Sequence, residues 1–166
     1  MSDLGARAGL RFEDFFAANF AFLVVQLNAH TGSLVEAQDA VQEAFCRAWP
    51  RWQTISAYDD PVGWVRRVAW NIATSRWRRT RTALAFGRRH RAEVVPEPCP
   101  DQVDLVAALA KLPPAQRRAV ILFYLAGLSV AEIALDCEVA EGTVKSWLHR
   151  GRTALAGHLS VEGARR

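Results

Sequence analysis

The chain has 166 residues, of which 51% are hydrophobic and 23% charged, a composition typical of one globular domain or two small ones. Its cysteines, Cys46, Cys99 and Cys137, lie far apart and have no histidine at zinc-ligand spacing, which argues against disulfide bonds, zinc sites and redox centres. The longest apolar run near the amino terminus, FAFLVVQL, is too short to cross a bilayer, and no secretion signal precedes it, so we expect a cytoplasmic protein.

The first eighty residues are predicted to form helices. Apolar residues recur at helical spacing through residues 12–27 and again through residues 33–49. Asp60 and Pro61 supply an N-cap and a first-turn proline for a third helix, which we expect to run to about Arg79. The apolar stripe of the second helix consists of Val41, Ala44, Phe45 and Ala48.

Positive charge is concentrated in one part of the chain. Residues 61–91 contain nine arginines and no acidic residue, although the net charge of the whole chain is only +4. A block of this kind binds a polyanion, which is either a nucleic acid or an anionic lipid surface. Asn71, Thr74 and Ser75 interrupt any broad apolar face on this helix, and we therefore favour nucleic acid over a membrane surface.

One face of the third helix has the chemistry of a single-strand contact. Its buried stripe is predicted to be Val65, Val68, Ala69 and Ile72, and the opposite face carries Arg67, Asn71, Thr74 and Arg78. We expect Trp70 and Trp77 to flank that polar face and Trp64 to lie in the core. Cations beside an amide and aromatic rings suit unpaired bases, and the preceding loop, QTISAYDD, completes a pocket for a base taken out of the stack.

The second half of the chain is predicted to be a separate helical domain. Residues 88–102 have no periodicity and contain three prolines, which indicates a flexible linker. We therefore expect an all-α protein with domains at residues 1–87 and 103–166. In the second domain a short helix ends near Lys111, and another runs over residues 115–125.

The last two helices are predicted to form a helix-turn-helix. Ser129 with Glu132 three positions later forms a capping box, and a new start signal follows at Glu141. In EGTVKSWLHRGRTAL the apolar stripe consists of Val144, Leu148, Gly151 and Leu155. The opposite face is small near its beginning, at Gly142, Thr143 and Ser146, and basic beside it, which suits close approach to a DNA groove.

The order of these features resembles the extracytoplasmic-function (ECF, group IV) sigma factors of bacterial RNA polymerase, of the SigE-like actinobacterial type. The resemblance rests on DAVQEAFCRAWPRW at 39–52, PVGWVRRVAWNIATSRWRR at 61–79, and the stretch from LPPAQRR to GRTAL at 112–155. It implies that the first stretch binds the polymerase core, the second melts the minus-ten element, and the third binds the minus-thirty-five element. It also implies a sigma factor that directs the core to specific promoters.

The resemblance assigns residues to three sites. Polymerase-core contacts with the clamp helices are expected from Asp39, Gln42, Glu43 and Arg47. The base-capturing asparagine aligns with Asn71, and the base-pocket loop aligns with Ile55, Ser56, Ala57, Tyr58 and Asp59. Contacts with the minus-thirty-five duplex align with Thr143, Lys145, Ser146, His149 and Arg150, of which Arg150 is expected to touch phosphate.

Three residues depart from the family pattern. Trp147 stands where an arginine is common, and Cys137 stands where a leucine is usual. Glu138 replaces the glycine of the turn, at a position where we expect a left-handed backbone that costs about 1 kcal/mol for other residues.

The expected partners are the polymerase core, through its clamp helices and its flap, and promoter DNA as duplex and as melted single strand. An anti-sigma factor is a further partner, and a membrane is not. We expect no cofactor, no metal and no catalysis, because the sequence shows neither a Gly-rich phosphate loop nor paired carboxylates beside a nucleophile. One alternative is a dimeric helix-turn-helix regulator that acts without polymerase, but this alternative assigns no function to the face around Asn71. The other alternative is an enzyme that acts on nucleic acid.

Overall fold

The computed structural model describes residues 10–85 and 100–163, and within them the chain is all-α, as predicted. These residues fall into two compact units. The first contains residues 10–27 and 33–85, and the second contains residues 28–32 and 100–163. None of the described helices combines the length and the apolar character that a membrane crossing requires.

The first unit is formed by α1, except for its last turn, and by α2 to α4. Their bounds are α1 Phe12–Thr31, α2 Leu34–Ala48, α3 Trp52–Ile55 and α4 Pro61–Ala85, with a 3-10 turn at Trp49–Arg51 between α2 and α3. The helix α2 begins where the Ser33 hydroxyl accepts a hydrogen bond from the backbone N–H of Glu36 at 3.3 Å. The helix α4 continues past the predicted end at Arg79.

Aromatic rings fill much of the first unit's core. The ring of Phe45 lies 4.8 Å from that of Phe16 and 5.7 Å from that of Phe15, measured between centroids. The predicted stripe of α2 is buried along its whole length, and α2 packs against α4. This packing sets the direction in which α4 presents its polar face.

The prediction for the aromatic residues of α4 was partly wrong. Trp70 is only 1% exposed and belongs to the core, whereas we expected it beside the polar face. Trp64, which was assigned to the core, is half-buried. The side chain of Trp77 lies outside the described part of the structure. The buried stripe is therefore wider than predicted, and the indole of Trp70 is not available for base stacking in this arrangement.

The second unit contains α5 Pro100–Ala110, α6 Pro114–Tyr124, α7 Val130–Cys137 and α8 Glu141–Gly163. The helix α5 begins at Pro100, so the last residues of the predicted linker are helical, and residues 88–99 of that linker lie outside the described part.

Burial lowers the pKa of Arg117, whose guanidinium donates to the carbonyl oxygens of Ala110 and Leu112 at 2.7 and 3.0 Å. Arg117 thereby closes the end of α5.

The two helices of the helix-turn-helix, α7 and α8, pack against each other and against α6. The capping box at the start of α7 is present as predicted: Ser129 N–H donates to Glu132 Oε2 at 2.7 Å, and Glu132 N–H donates to Ser129 Oγ at 3.2 Å. On α8, Val144, Leu148 and Gly151 are buried, and Leu155 is half-buried. A Cβ at Gly151 would lie 2.8 Å from Val120 Cγ2 of α6, so the close contact between α6 and α8 depends on the glycine.

Candidate nucleic-acid and polymerase interfaces

The outer face of α8 carries the residues predicted to meet duplex DNA. Gly142, Lys145, His149 and Arg150 are exposed, while Thr143 and Ser146 are half-buried. Neither Lys145 nor Arg150 forms an ion pair with any described residue. A Cβ at Gly142 would meet no atom within 4 Å, so packing does not require this glycine, and the surface there is open. The face therefore combines small residues at the beginning of the helix with two cations that pair with no described residue. This combination suits a groove lined by phosphates.

The turn before α8 has the backbone that was predicted for it. Glu138 adopts φ 57° and ψ 45°, and no other described non-glycine residue has a positive φ. Its N–H donates to Leu135 O at 3.3 Å, and the N–H of Val139 donates to Ala134 O at 3.0 Å. These two bonds form the Schellman arrangement that usually employs glycine.

Two of the four residues predicted for the outer face of α4 are exposed. Asn71 and Arg78 are exposed, and Arg67 and Thr74 are half-buried. The four side chains lie on one side of the helix, opposite Val65, Ala69 and Ile72, which are buried. The face can supply hydrogen bonds and positive charge to a single strand.

The loop before α4 is anchored at its beginning and exposed at its tip. Ile55 is buried, so its contribution is to hold the loop, while Ala57, Tyr58 and Asp59 are exposed and Ser56 is half-buried. The N–H groups of Ser56 and Tyr58 donate to Trp52 O at 2.8 Å and Ile55 O at 3.0 Å. The exposed tip is the part of the loop that a flipped base could reach.

The end of this loop is fixed by Asp60, the predicted N-cap of α4, together with Gly63 and Arg66, whose roles the sequence did not indicate. Asp60 Oδ1 accepts a hydrogen bond from Gly63 N–H at 2.8 Å, and Asp60 Oδ2 lies 3.5 Å from Arg66 Nη2. A Cβ at Gly63 would lie 1.9 Å from Asp60 Oδ2, so the cap depends on the glycine. Arg66 was counted in the basic block that was predicted to bind a polyanion, but it is only 5% exposed and is therefore not part of that surface.

The predicted polymerase-binding residues lie on α2. Asp39, Gln42 and Arg47 are exposed, and Glu43 is half-buried. The two carboxylate oxygens of Glu43 accept hydrogen bonds from different arginines, Oε1 from Arg47 and Oε2 from Arg76 Nη2 at 2.6 Å. The spacing of four residues gave a signal for the first pair, but no sequence signal indicated Arg76, which reaches Glu43 from α4.

Comparison with known proteins identifies the family. The family model of sigma-70 region 2 matches residues 16–83, and that of sigma-70 region 4 matches residues 102–155. The chain is 35% identical over 144 residues to the ECF RNA polymerase sigma factor SigL of Mycobacterium tuberculosis, which covers 82% of this chain and 81% of the relative. The chain belongs to the ECF RNA polymerase sigma factors. Its function is that of a sigma factor in transcription initiation, and the family binds the RNA polymerase core and promoter DNA.

Other relatives agree with this assignment. The sigma factor is 30% identical over 162 residues to the RNA polymerase sigma-E factor of Streptomyces coelicolor, covering 90% of this chain and 86% of the relative. Its fold is similar to that of the sigma factor RpoE from Bartonella quintana, solved with the anti-sigma factor NepR, with a TM-score of 0.80, 24% identity and coverage of 90% and 97% of the two chains. It also resembles CnrH, solved with the cytosolic domain of CnrY, with a TM-score of 0.67, 20% identity and coverage of 95% and 94%.

Proposed function

We propose that this sigma factor divides promoter recognition between its two units, with α8 anchoring upstream duplex DNA and α4 capturing melted bases. The observation that carries the proposal is the two-sided character of α8. Its apolar face is buried against its own unit, and its small and basic face is exposed without ionic partners among the described residues. A helix arranged in this way carries positive charge that no described residue of the chain neutralises, and that charge is available to phosphate groups.

The proposed duplex contact is made by α8 in the major groove of the minus-thirty-five element. Gly142, Thr143 and Ser146 allow the beginning of the helix to approach the bases, and its N-terminal N–H groups favour a phosphate. Lys145, His149 and Arg150 flank this part, and we assign Arg150 to phosphate. This contact supplies affinity and fixes the distance to the start site.

The proposed single-strand contact is made by α4 and the loop before it. Asn71 would hydrogen-bond a base taken out of the stack, Arg67 and Arg78 would hold the backbone, and the loop tip would close around the base. Unpairing costs a few kcal/mol per base, so capture of the flipped base drives melting. Because Trp70 is buried, we assign base stacking to the exposed ring of Tyr58.

We assign the polymerase contact to the clamp helices, through Asp39, Gln42, Glu43 and Arg47 on α2, with the second unit docking on the flap. An acidic and amide surface in a unit that is otherwise basic suits a basic partner. An anti-sigma factor is a further proposed partner, since the similarly folded RpoE was solved in complex with one. We place the protein in the cytoplasm, as a subunit that performs no chemistry and needs no cofactor.

The proposal is tested with the purified chain, sigma-free core polymerase and a pool of genomic promoter fragments, by sequencing the 5′ ends of the transcripts. We expect transcription starts that share two upstream motifs at a fixed spacing. Core polymerase alone is the control. Protection of a palindromic duplex site by the chain without polymerase, together with no transcription, would instead support an independent regulator.

A further inference from the structure

A buried ion pair joins α6 to the end of α7. Arg118 Nη2 on α6 donates to Asp136 Oδ2 at 2.9 Å and to the backbone carbonyl oxygen of Asp136 at 3.2 Å. The side chain of Asp136 is only 2% exposed, and that of Arg118 is 21% exposed. A carboxylate buried to this degree needs its partner, since without it the charge would stand in a medium of low polarity.

The backbone carbonyl that Arg118 binds is one that the helix end leaves over. The Schellman arrangement after α7 satisfies Ala134 O and Leu135 O through the N–H groups of Val139 and Glu138. The next carbonyl along the chain is that of Asp136, and Arg118 supplies its donor. A cation at this position also interacts favourably with the negative end of the helix dipole.

This helix end is held in a conformation that its sequence does not favour. Glu138 occupies the left-handed region, where a side chain with a Cβ is strained and where glycine is the usual residue. Residues 138–140 separate α7 from α8, so the geometry of this short turn sets the direction in which α8 leaves. The contacts that hold Asp136 in place therefore also hold the turn.

We propose that Arg118 is a positioning residue for promoter binding: through Asp136 it holds the strained turn at Glu138 and thereby orients the DNA face of α8. Arg118 itself lies on α6 and is not assigned a DNA contact. The inference rests on the proposed role of α8 at the upstream duplex. It goes beyond that role because it attributes part of the affinity to a residue in a different helix.

The test compares the holoenzymes formed with the wild-type chain, Arg118→Gln, Arg118→Lys, Glu138→Gly and the double variant Arg118→Gln/Glu138→Gly. Affinity is measured for an upstream duplex taken from a promoter that the transcription experiment identifies. The temperature is set well below the unfolding midpoint of each variant, because stability alone cannot change the affinity of a chain that is fully folded. The midpoints are recorded separately by thermal unfolding of the full chain.

We expect Arg118→Gln to lower the duplex affinity about ten-fold, the size of coupling that residues away from a ligand can exert. Arg118→Lys, which keeps a cation for Asp136, should retain most of the affinity. Adding Glu138→Gly to Arg118→Gln should restore it, because a relaxed turn no longer needs to be held. An unchanged affinity in Arg118→Gln would overturn the proposal, and so would a loss that Glu138→Gly does not restore. If Arg118→Gln is unfolded at the assay temperature, the neutral pair Arg118→Gln/Asp136→Asn, which leaves no buried charge unpaired, takes its place with and without Glu138→Gly and is judged by the same two criteria.

A control separates this inference from the proposed function on which it rests. The double variant Lys145→Ala/Arg150→Ala removes the cations of the α8 face. If it leaves duplex affinity unchanged, the assignment of α8 to upstream DNA is wrong. If it lowers the affinity while Arg118→Gln does not, the assignment of α8 stands, and only the positioning role of Arg118 is wrong.

Discussion

The helices that present the two predicted DNA faces are held by ion pairs of different kinds. In the first unit, Arg76 of α4 reaches Glu43 of α2, and the two side chains are 40% and 34% exposed. In the second unit, Arg118 of α6 reaches Asp136 before the turn that leads to α8, and the carboxylate is nearly inaccessible to solvent. Water can replace either partner of the first pair but not Asp136's partner in the second. The orientation of α8 is therefore expected to depend far more on a single side chain than that of α4.

The largest difference between the two pairs should appear when a carboxylate is removed. Asp136→Ala removes the carboxylate that pairs with the guanidinium of Arg118 and so weakens the contact that fixes the end of α7. We expect the free energy of unfolding of the second unit to fall by about 2–4 kcal/mol. Hydrogen exchange of the full chain, followed helix by helix, measures the loss in α6 and α7. Asp14→Ala, an exposed carboxylate on α1, is the control and should change little. Equal losses of stability from Asp136→Ala and from Glu43→Gln, its counterpart in the first unit, would remove the asymmetry between the two pairs.

The second prediction concerns what α4 does with its exposed face. Asn71→Ala should lower the rate of open-complex formation about ten-fold, since one good hydrogen-bonded base contact is worth roughly 1–3 kcal/mol. Binding to core polymerase should stay unchanged, because Asn71 lies on a different helix from the predicted docking residues. Gln38→Ala, which removes an exposed amide from α2, is the control. Normal open-complex formation by Asn71→Ala would refute the base-capture role.

The third prediction concerns the corresponding cation of α8. Arg150→Ala should weaken binding to all upstream sequences alike and reduce the slope of log affinity against log salt by about one unit, as expected for one lost phosphate contact. Lys111→Ala removes an exposed cation from the end of α5 and serves as the matched control. A changed preference among upstream sequences would assign Arg150 to a base edge instead.

Local pattern was sufficient for the helices and for the faces that they bury. Helical spacing predicted the stripes through Phe45 and Leu148, and the Ser129 capping box was recognisable because both of its partners are three residues apart. The left-handed turn at Glu138 was also predicted, but only from the resemblance to the family.

The errors and omissions concern contacts between helices. Trp70 lies at the border of the α4 stripe, and its burial depends on how α2 packs against that helix, which periodicity does not specify. Arg118 and Asp136 are 18 residues apart, and their pairing follows from the docking of α6 on α7. Arg76 and Glu43 are separated by 33 residues in the same way. Arg76 belonged to the basic block of residues 61–91, and its contact with Glu43 became evident only from the packing of α2 against α4.

The smallest effect is expected from Glu43, and it completes the contrast with Asp136. Glu43→Gln should reduce the stability of the first unit by no more than about 1 kcal/mol, because its pairs with Arg47 and Arg76 are partly solvated. Added salt should abolish most of this difference, whereas the effect of Asp136→Ala should persist in salt because a buried pair is poorly screened. The affinity for core polymerase tests a separate role: a clear loss in Glu43→Gln at unchanged stability supports docking through Glu43. An unchanged affinity would restrict Glu43 to joining α2 and α4.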